Sequence, residues 1–354
     1  MSSNPFLFGK VVRGKNFCNR LAEMQKIKQA VHSKNSLILV SPRRYGKTSL
    51  IINALEKYQL PFLFVDCFEV QDEKSSLEKI ASAYLSSLRK GDVIDKVKYL
   101  SKIVNVEYSF TVKGITVRIT KYQENALRGV LEEITKKYLL VLDEFQELFT
   151  VDPQLVKKLR SILQFIPRSV FFLGSKKNLL LYLFSDQRSP FYNFGSILYL
   201  DKIPSEEWHS FIREKFGHTK LSISDDEIAF LLHAAELIPF YVQYLCYYYW
   251  QKKTEKKETP LTEFLAEIMH SNSHIYDELY QKLPRAQQKA LQIIALGERT
   301  VFSQENQSKY GFKSNQSLHK SLTSLVEKGF LEKNGEYRFN DPLFKRYIQE
   351  SSKQ

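Results

Sequence analysis

The nine residues Ser41 to Ser49, SPRRYGKTS, constrain this chain more than any other stretch. They follow a strand-like apolar run, Ser36 to Val40, and open a helix-period run, Leu50 to Tyr58. Strand, loop and helix in that order are what a phosphate-binding loop needs. Its successive backbone N–H groups and the helix N-terminus form a nest for polyphosphate. The pattern is GxxxxGK[ST], with Ser41 in place of the first Gly. Ser41, Pro42, Arg43, Arg44, Tyr45 and Ser49 make up the loop, and Gly46 allows close backbone approach. Lys47 is expected at the β- and γ-phosphates, with the Thr48 hydroxyl on Mg²⁺. About a hundred residues on, Tyr138 to Leu142 is an apolar run that ends in Asp143-Glu144. A buried parallel strand delivers such acids to the carboxyl edge of a sheet, where α/β folds place ligands. Asp143 is expected to hold Mg²⁺ through water, and Glu144 to polarise an attacking water.

Composition bounds the rest. At 354 residues and 43% hydrophobic, the chain is long enough for two or three domains with proper cores. Cys18, Cys67 and Cys246 are scattered, with no CxxC or Cys/His cluster, so they read as buried thiols rather than disulfides or zinc ligands. The N-terminus lacks a signal-peptide pattern, and no run of eighteen apolar residues occurs. A cytoplasmic location and no membrane partner are expected. The net charge of +13 invites a nucleic-acid partner. Part of that charge lies in the mixed-sign run Lys252 to Glu258, which reads as a solvated helix end.

Along the chain, Pro61 to Asp66 reads as a second strand, followed by helices over Leu77 to Leu88 and Val93 to Ile103. Two alternating runs, Tyr108/Phe110/Val112 and Ile115/Val117/Ile119, joined at Lys113-Gly114, predict a β-hairpin. It is either a partner-binding flap or part of the structure. Asp152-Pro153 should cap a helix through Phe165. Ser169 to Ser175 is a strand that ends on Ser175, a candidate sensor of the γ-phosphate, and Ser196 to Leu200 is a fifth strand. Ser224 to Glu227 is a capping box, and Pro239 starts an aromatic helix to Trp250 whose Tyr241, Tyr244 and Tyr248 read as packing. Ser314 caps a helix with apolar face Leu318, Leu322, Leu325 and Val326 and polar face Gln316, His319, Lys320 and Thr323. The Asn334-Gly335 hairpin then completes a winged-helix pattern. Residues 271–354 carry thirteen Lys or Arg against nine Asp or Glu, a net of +4.

Taken together, PRRYGKTSL, VLDEF, FFLGSKK and LFSDQRSPFY resemble the archaeal-type ATPases of the STAND branch of AAA+-like P-loop proteins, also found in bacteria. Phe17 to Glu23 is similar to the F-x-G-R-x-x-E box that borders the adenine there, with Asn19 for the Gly. The resemblance implies adenine contacts for Arg20 and Glu23, and a nucleotide contact for Pro239, whose G-x-P element lacks its Gly. It also implies ATP and ADP as ligands, Mg²⁺ dependence, a helical lid and a C-terminal winged helix. The expected fold is α/β: a P-loop NTPase parallel sheet over residues 1–202 with an insert at about 71–120, a helical lid over 203–270 and a winged helix over 271–354. Candidate arginine fingers are Arg188, then Arg160 and Arg168; the sequence does not choose among them, and a homo-oligomer is left open.

Three functions fit this reading. The first is an Mg²⁺-dependent ATP-hydrolysing switch whose winged helix binds DNA or protein. The second is a replication-initiator-like or regulatory DNA-binding ATPase. Such initiators typically carry a lid arginine, and the chain has none between Arg213 and Arg285. The third is a non-hydrolysing nucleotide-bound scaffold.

Overall fold

The computed structural model describes residues 3–111, 114–255, 260–297 and 300–352, which divide into two compact units. One spans Val11–Asp201; the other joins residues 3–10 to 202–352.

In chain order the first unit contains α1 (Leu21–His32), β1 (Leu37–Val40), α2 (Lys47–Lys57), β2 (Phe62–Asp66), α3 (Glu73–Ser87), α4 (Lys90–Leu100), β3 (Val104–Thr111) and β4 (Gly114–Tyr122). It continues with α5 (Ala126–Thr135), β5 (Leu139–Asp143), α6 (Gln146–Val151), α7 (Pro153–Leu163), β6 (Val170–Gly174), α8 (Lys177–Ser185) and β7 (Ser196–Tyr199). Five strands form one parallel sheet in the order β2-β5-β6-β1-β7. The three central strands are buried at every residue, because helices cover both faces, whereas the edge strand β2 alternates and the edge strand β7 is buried only at Leu198. The sheet order places β6 between β1 and β5, with Val40 opposite Gly174 and Leu142 opposite Phe172. The loop after β1, the acids ending β5 and Ser175 therefore leave the sheet at one edge. As expected, the Asp152 carboxylate caps α7, accepting from the N–H groups of Gln154 and Leu155. The three cysteines are buried and unbridged; burial pushes the Cys67 thiol far up.

The inserted hairpin proves to be core. Ile115, Val117 and Ile119 are buried in the main apolar cluster. Their backbone N–H groups donate to α3 side chains: Ile115 to Ser86 Oγ (2.8 Å), Val117 to Ser82 Oγ (2.9 Å) and Ile119 to Glu78 Oε1 (2.8 Å). Four helical residues rise about 6 Å and two strand residues about 6.8 Å, so an i, i+4, i+8 row of acceptors can follow alternate strand N–H groups. α3 thus covers an edge that would otherwise be open to another chain. Val112 and Lys113 lie outside the described residues. Deleting Tyr108 to Thr120 removes three buried residues, each contributing about 2–5 kcal/mol, against a typical domain stability of about 5–15 kcal/mol. The deletion should abolish cooperative thermal unfolding; a two-state melt within a few degrees of the parent's would make the hairpin a peripheral flap.

The second unit holds α9 (Ser205–His218), α10 (Asp225–Ala234), α11 (Pro239–Thr254), α12 (Leu261–Gln281), α13 (Arg285–Ala295), α14 (Gln304–Tyr310), α15 (Asn315–Glu327), β8 (Leu331–Asn334), β9 (Glu336–Phe339) and α16 (Pro342–Ser351). The Ser224 capping box forms, and Pro239 is the first residue of α11. Residues 3–10 group here: the Phe8 ring lies 5.0 Å from Tyr244 and 5.9 Å from Tyr248, so those tyrosines are packing residues, as expected. Lys252 and Lys253 are half-buried and pair with Glu267 and Glu227, each at 2.6 Å; Lys256 to Glu258 lie outside the described residues. α12 is continuous through residue 271. On α15, Leu318, Leu322 and Leu325 are buried while Gln316, His319, Lys320 and Thr323 are exposed, as the spacing predicts. The wing differs in detail. Asn334 pairs with Glu336, which centres the turn on Gly335 at φ 77° rather than on the Asn-Gly pair.

Candidate functional site

The phosphate loop takes its shape from two left-handed residues, Arg44 at φ 71° and Gly46 at φ 83°. Gly46 is the N-cap of α2, which puts Lys47, Thr48 and Ser49 in its first turn, three residues earlier than the periodicity suggested. A Cβ built on Gly46 meets nothing within 4 Å, so packing does not demand glycine here. Backbone conformation demands it, and the open space in front leaves room for an anion to approach the backbone. Ser41 is buried and donates its hydroxyl to Pro42 O at 3.1 Å; Tyr45 is buried, while Arg43 and Arg44 are exposed. Ser49 faces elsewhere. Its Oγ accepts from Val12 N–H at 3.0 Å, and Asn53, one turn on, accepts from Gly14 N–H at 2.8 Å and donates to Val12 O at 2.7 Å. Both side chains pin the entering segment against α2, a role the sequence reading missed for Asn53.

Across the sheet edge, the two acids meet the loop. Thr48 Oγ1 donates to Asp143 Oδ2 at 2.7 Å, and Lys47 Nζ lies 3.3 Å from Glu144 Oε1. Lys47 and Asp143 are each only 8% exposed. Burial raises the Asp143 carboxyl above the usual aspartate range despite Lys47 and the Thr48 hydrogen bond. For Glu144 burial acts the same way but loses. The Lys47 charge and hydrogen bonds from Gln146, Ser175 and Lys47 hold that carboxyl below its ordinary range. Glu144 itself sits at φ 49°, a conformation that costs a non-glycine residue about 1 kcal/mol.

Ser175 joins this group: its Oγ donates to Glu144 Oε2 at 2.9 Å. A residue the sequence reading passed over does too. Gln146 is fully buried, and its Nε2 donates to the same Glu144 Oε2 at 2.5 Å and to Glu147 Oε1 at 3.3 Å. Its spacing, two residues past Glu144, was the only signal available. Gly174 makes room for it, since a Cβ there would stand 2.0 Å from Gln146 Oε1.

The remaining candidates make other contacts. Arg20, at φ 71° and 3% side-chain exposure, donates to Tyr45 O at 3.3 Å and Asp201 O at 2.7 Å and pairs with Glu23 at 2.9 Å. It holds the phosphate loop by a carbonyl. Arg188 forms a two-pronged pair with Asp186, at 3.0 and 2.9 Å, and is 81% exposed. Arg160 lies 4.8 Å over the Phe194 ring, and Arg168 donates to Thr135 O and Lys136 O. Pro239 belongs to the second unit.

The donor set fits a metal-bound nucleotide. Among the described residues there is no cluster of three or more His, Cys, Asp or Glu side chains able to hold a metal alone. One hydroxyl and one carboxylate suit Mg²⁺, which keeps waters and takes its other ligands from substrate phosphates. Among the described residues, no helix is long and apolar enough to cross a membrane.

Comparison with known proteins agrees with this architecture. Residues 29–183 match the family model of an AAA domain, and residues 274–350 that of a "probable winged helix domain". None of the curated proteins matches. Among solved structures, the Walker-type ATPase of Pyrococcus abyssi is similar over 98% of this chain and 100% of its own, at 18% identity and TM-score 0.69. The ORC2 protein of Aeropyrum pernix in its ADP form is similar over 94% and 93%, at 14% identity and TM-score 0.50. Its ADPNP–ADP complexes give 96% and 98%, at 15% identity and TM-score 0.51. At such identities the likeness concerns fold. In sheet order, phosphate loop and winged helix alike, this chain joins an AAA-type P-loop domain to a C-terminal winged-helix domain.

Proposed function

We propose that the chain is a Mg²⁺-dependent ATP-binding and ATP-hydrolysing switch. The observation that carries this reading is the convergence of two motifs 95 residues apart, with Thr48 on Asp143 at 2.7 Å and Lys47 on Glu144 at 3.3 Å. The fold shared with a Walker-type ATPase, and with a protein whose structures contain ADP and ADPNP, supports it. The loop N–H groups and Lys47 would bind the β- and γ-phosphates, and Thr48 and Asp143 would hold Mg²⁺, which supplies charge neutralisation on the transferring phosphoryl group. Glu144 orients the attacking water and Ser175 reads the γ-phosphate. Arg188, exposed in this chain, would act as a finger on a neighbouring copy. Residues 203–270 would serve as a lid, and STAND-type membership belongs to the same proposal. Steady-state phosphate release from ATP with and without Mg²⁺ tests it; no turnover above buffer in either case would sink hydrolysis.

The winged helix supplies the output in this reading. Four exposed polar residues on one face of α15, with exposed Lys333 and Arg338 on the wing, favour duplex DNA as its partner. Lys320→Glu should weaken duplex binding. Each phosphate contact adds about 0.9 to the salt slope, so the parent should lose affinity steeply between about 50 and 200 mM salt. Identical anisotropy titrations for parent and variant across that range would remove this helix from the interface.

A further inference from the structure

The geometry points to Gln146 as a positioning residue that fixes which oxygen of Glu144 faces the attacking water. The inference rests on the hydrolytic reading above and deepens it.

Two donors converge on one carboxylate oxygen. Glu144 Oε2 accepts from Gln146 Nε2 at 2.5 Å and from Ser175 Oγ at 2.9 Å, with Ser175 N–H a third donor at 3.3 Å. Among the described residues, Glu144 Oε1 is left with Lys47 alone, at a long 3.3 Å. When Lys47 engages a phosphate, Oε1 is the oxygen free to accept a hydrogen bond from water, and Oε2 cannot turn to compete. The amide must present its nitrogen this way round, because both of its neighbours, Glu144 and Glu147, are acceptors. Glu147 is in turn tied to Lys176 at 2.9 Å, on the residue after Ser175. The clamp therefore runs between the loop after β5 and the loop after β6.

The surroundings show that this contact is kept at some expense. Gln146 has no exposed surface, and its Oε1 finds no partner among the described residues. An apolar side chain of the same length would avoid that orphaned carbonyl. The neighbouring strand also gives up a side chain, since any Cβ on Gly174 would collide with the amide at 2.0 Å. Glu144 sits in a left-handed conformation that needs holding. A role confined to packing leaves the orphaned carbonyl unexplained, whereas holding the Glu144 carboxylate in place accounts for it together with the other two features.

Gln146→Met tests the assignment, since it keeps the length and burial, removes the donor and removes the orphaned carbonyl. We expect kcat for ATP to fall about tenfold or more, in line with the cost of a small misplacement of a reacting group. The KM for ATP should stay within about threefold, and the melting temperature should not drop. Gly174→Ala, which leaves Gln146 in place but displaces its amide, should lower kcat in the same way and serves if the Met variant does not fold. In a Glu144→Gln background, either change should have almost no further effect on turnover, because the clamp acts through Glu144. An unchanged kcat in both variants of an active parent would overturn the inference while leaving hydrolysis standing. An equal loss in the Glu144→Gln background would overturn it as well, by showing an action independent of Glu144. A parent without turnover would remove the hydrolytic reading itself, and the positioning role with it.

Discussion

Glu144→Gln should leave ATP bound with near-parental affinity and slow its turnover by about 10²-fold or more, as loss of a general base does. The substitution keeps size and burial, so the phosphate loop and the Thr48–Asp143 contact are not disturbed. What changes is the direction of hydrogen bonding. Gln146 Nε2 and Ser175 Oγ both donate to Glu144 Oε2, so the new amide must turn its own oxygen to them. Its NH₂ group then faces the side where water is to be held, and a donor there can neither orient the water's proton nor receive it. Lys47 loses a carboxylate partner at 3.3 Å but keeps Asp143 nearby, and binding to the phosphates does not pass through Glu144. Rapid-quench turnover beside a fluorescent-nucleotide titration separates the two quantities. Equal turnover in variant and parent would remove Glu144 from the chemistry.

The parts of this molecule that were legible in the sequence are those set by a few neighbouring residues. The phosphate loop, the acid-tipped strand, the Asp152 and Ser224 caps and the apolar stripe of α15 each follow from local pattern, and each forms, with the helix after the loop starting three residues earlier than its periodicity suggests. What was not legible depends on distant partners. Nothing near Gln146 reveals that Gly174, on another strand, leaves space for its amide. The hairpin could be drawn from its alternation, but not its attachment, which comes from Glu78, Ser82 and Ser86 facing one edge of β4. That row sits at helical spacing on α3, so it could have been found by matching the helix and strand rises. Arg20 shows a different kind of gap. The motif resemblance places it at the adenine, and what the sequence does not reveal is that its guanidinium also donates to two backbone carbonyls and pairs with Glu23. One of those carbonyls, Tyr45 O, belongs to the phosphate loop.

Lys47→Ala should abolish measurable ATP binding, and its effect should be the largest of any single substitution in the loop. Lys47 is the cation that stands against both acids at this edge. It lies 3.3 Å from Glu144, and its charge also lowers the Asp143 carboxyl, which burial would otherwise raise further. Removing it does two things in the same direction. The β- and γ-phosphates lose a charge-assisted donor in a largely buried place, worth about 2–5 kcal/mol, or about 30- to 5,000-fold in affinity. The two carboxylates, no longer offset, then repel whatever phosphate charge the loop N–H groups and Mg²⁺ leave uncompensated. The loop shape itself should survive, since Gly46 sets it through backbone conformation and Arg20 holds it through Tyr45 O. Calorimetric titration with Mg·ATP, next to a thermal melt showing that the variant is folded, makes the comparison. A folded Lys47→Ala protein that binds ATP within about threefold of the parent would show that this lysine does not meet the phosphates, and the loop would then have to bind its ligand by backbone N–H groups alone.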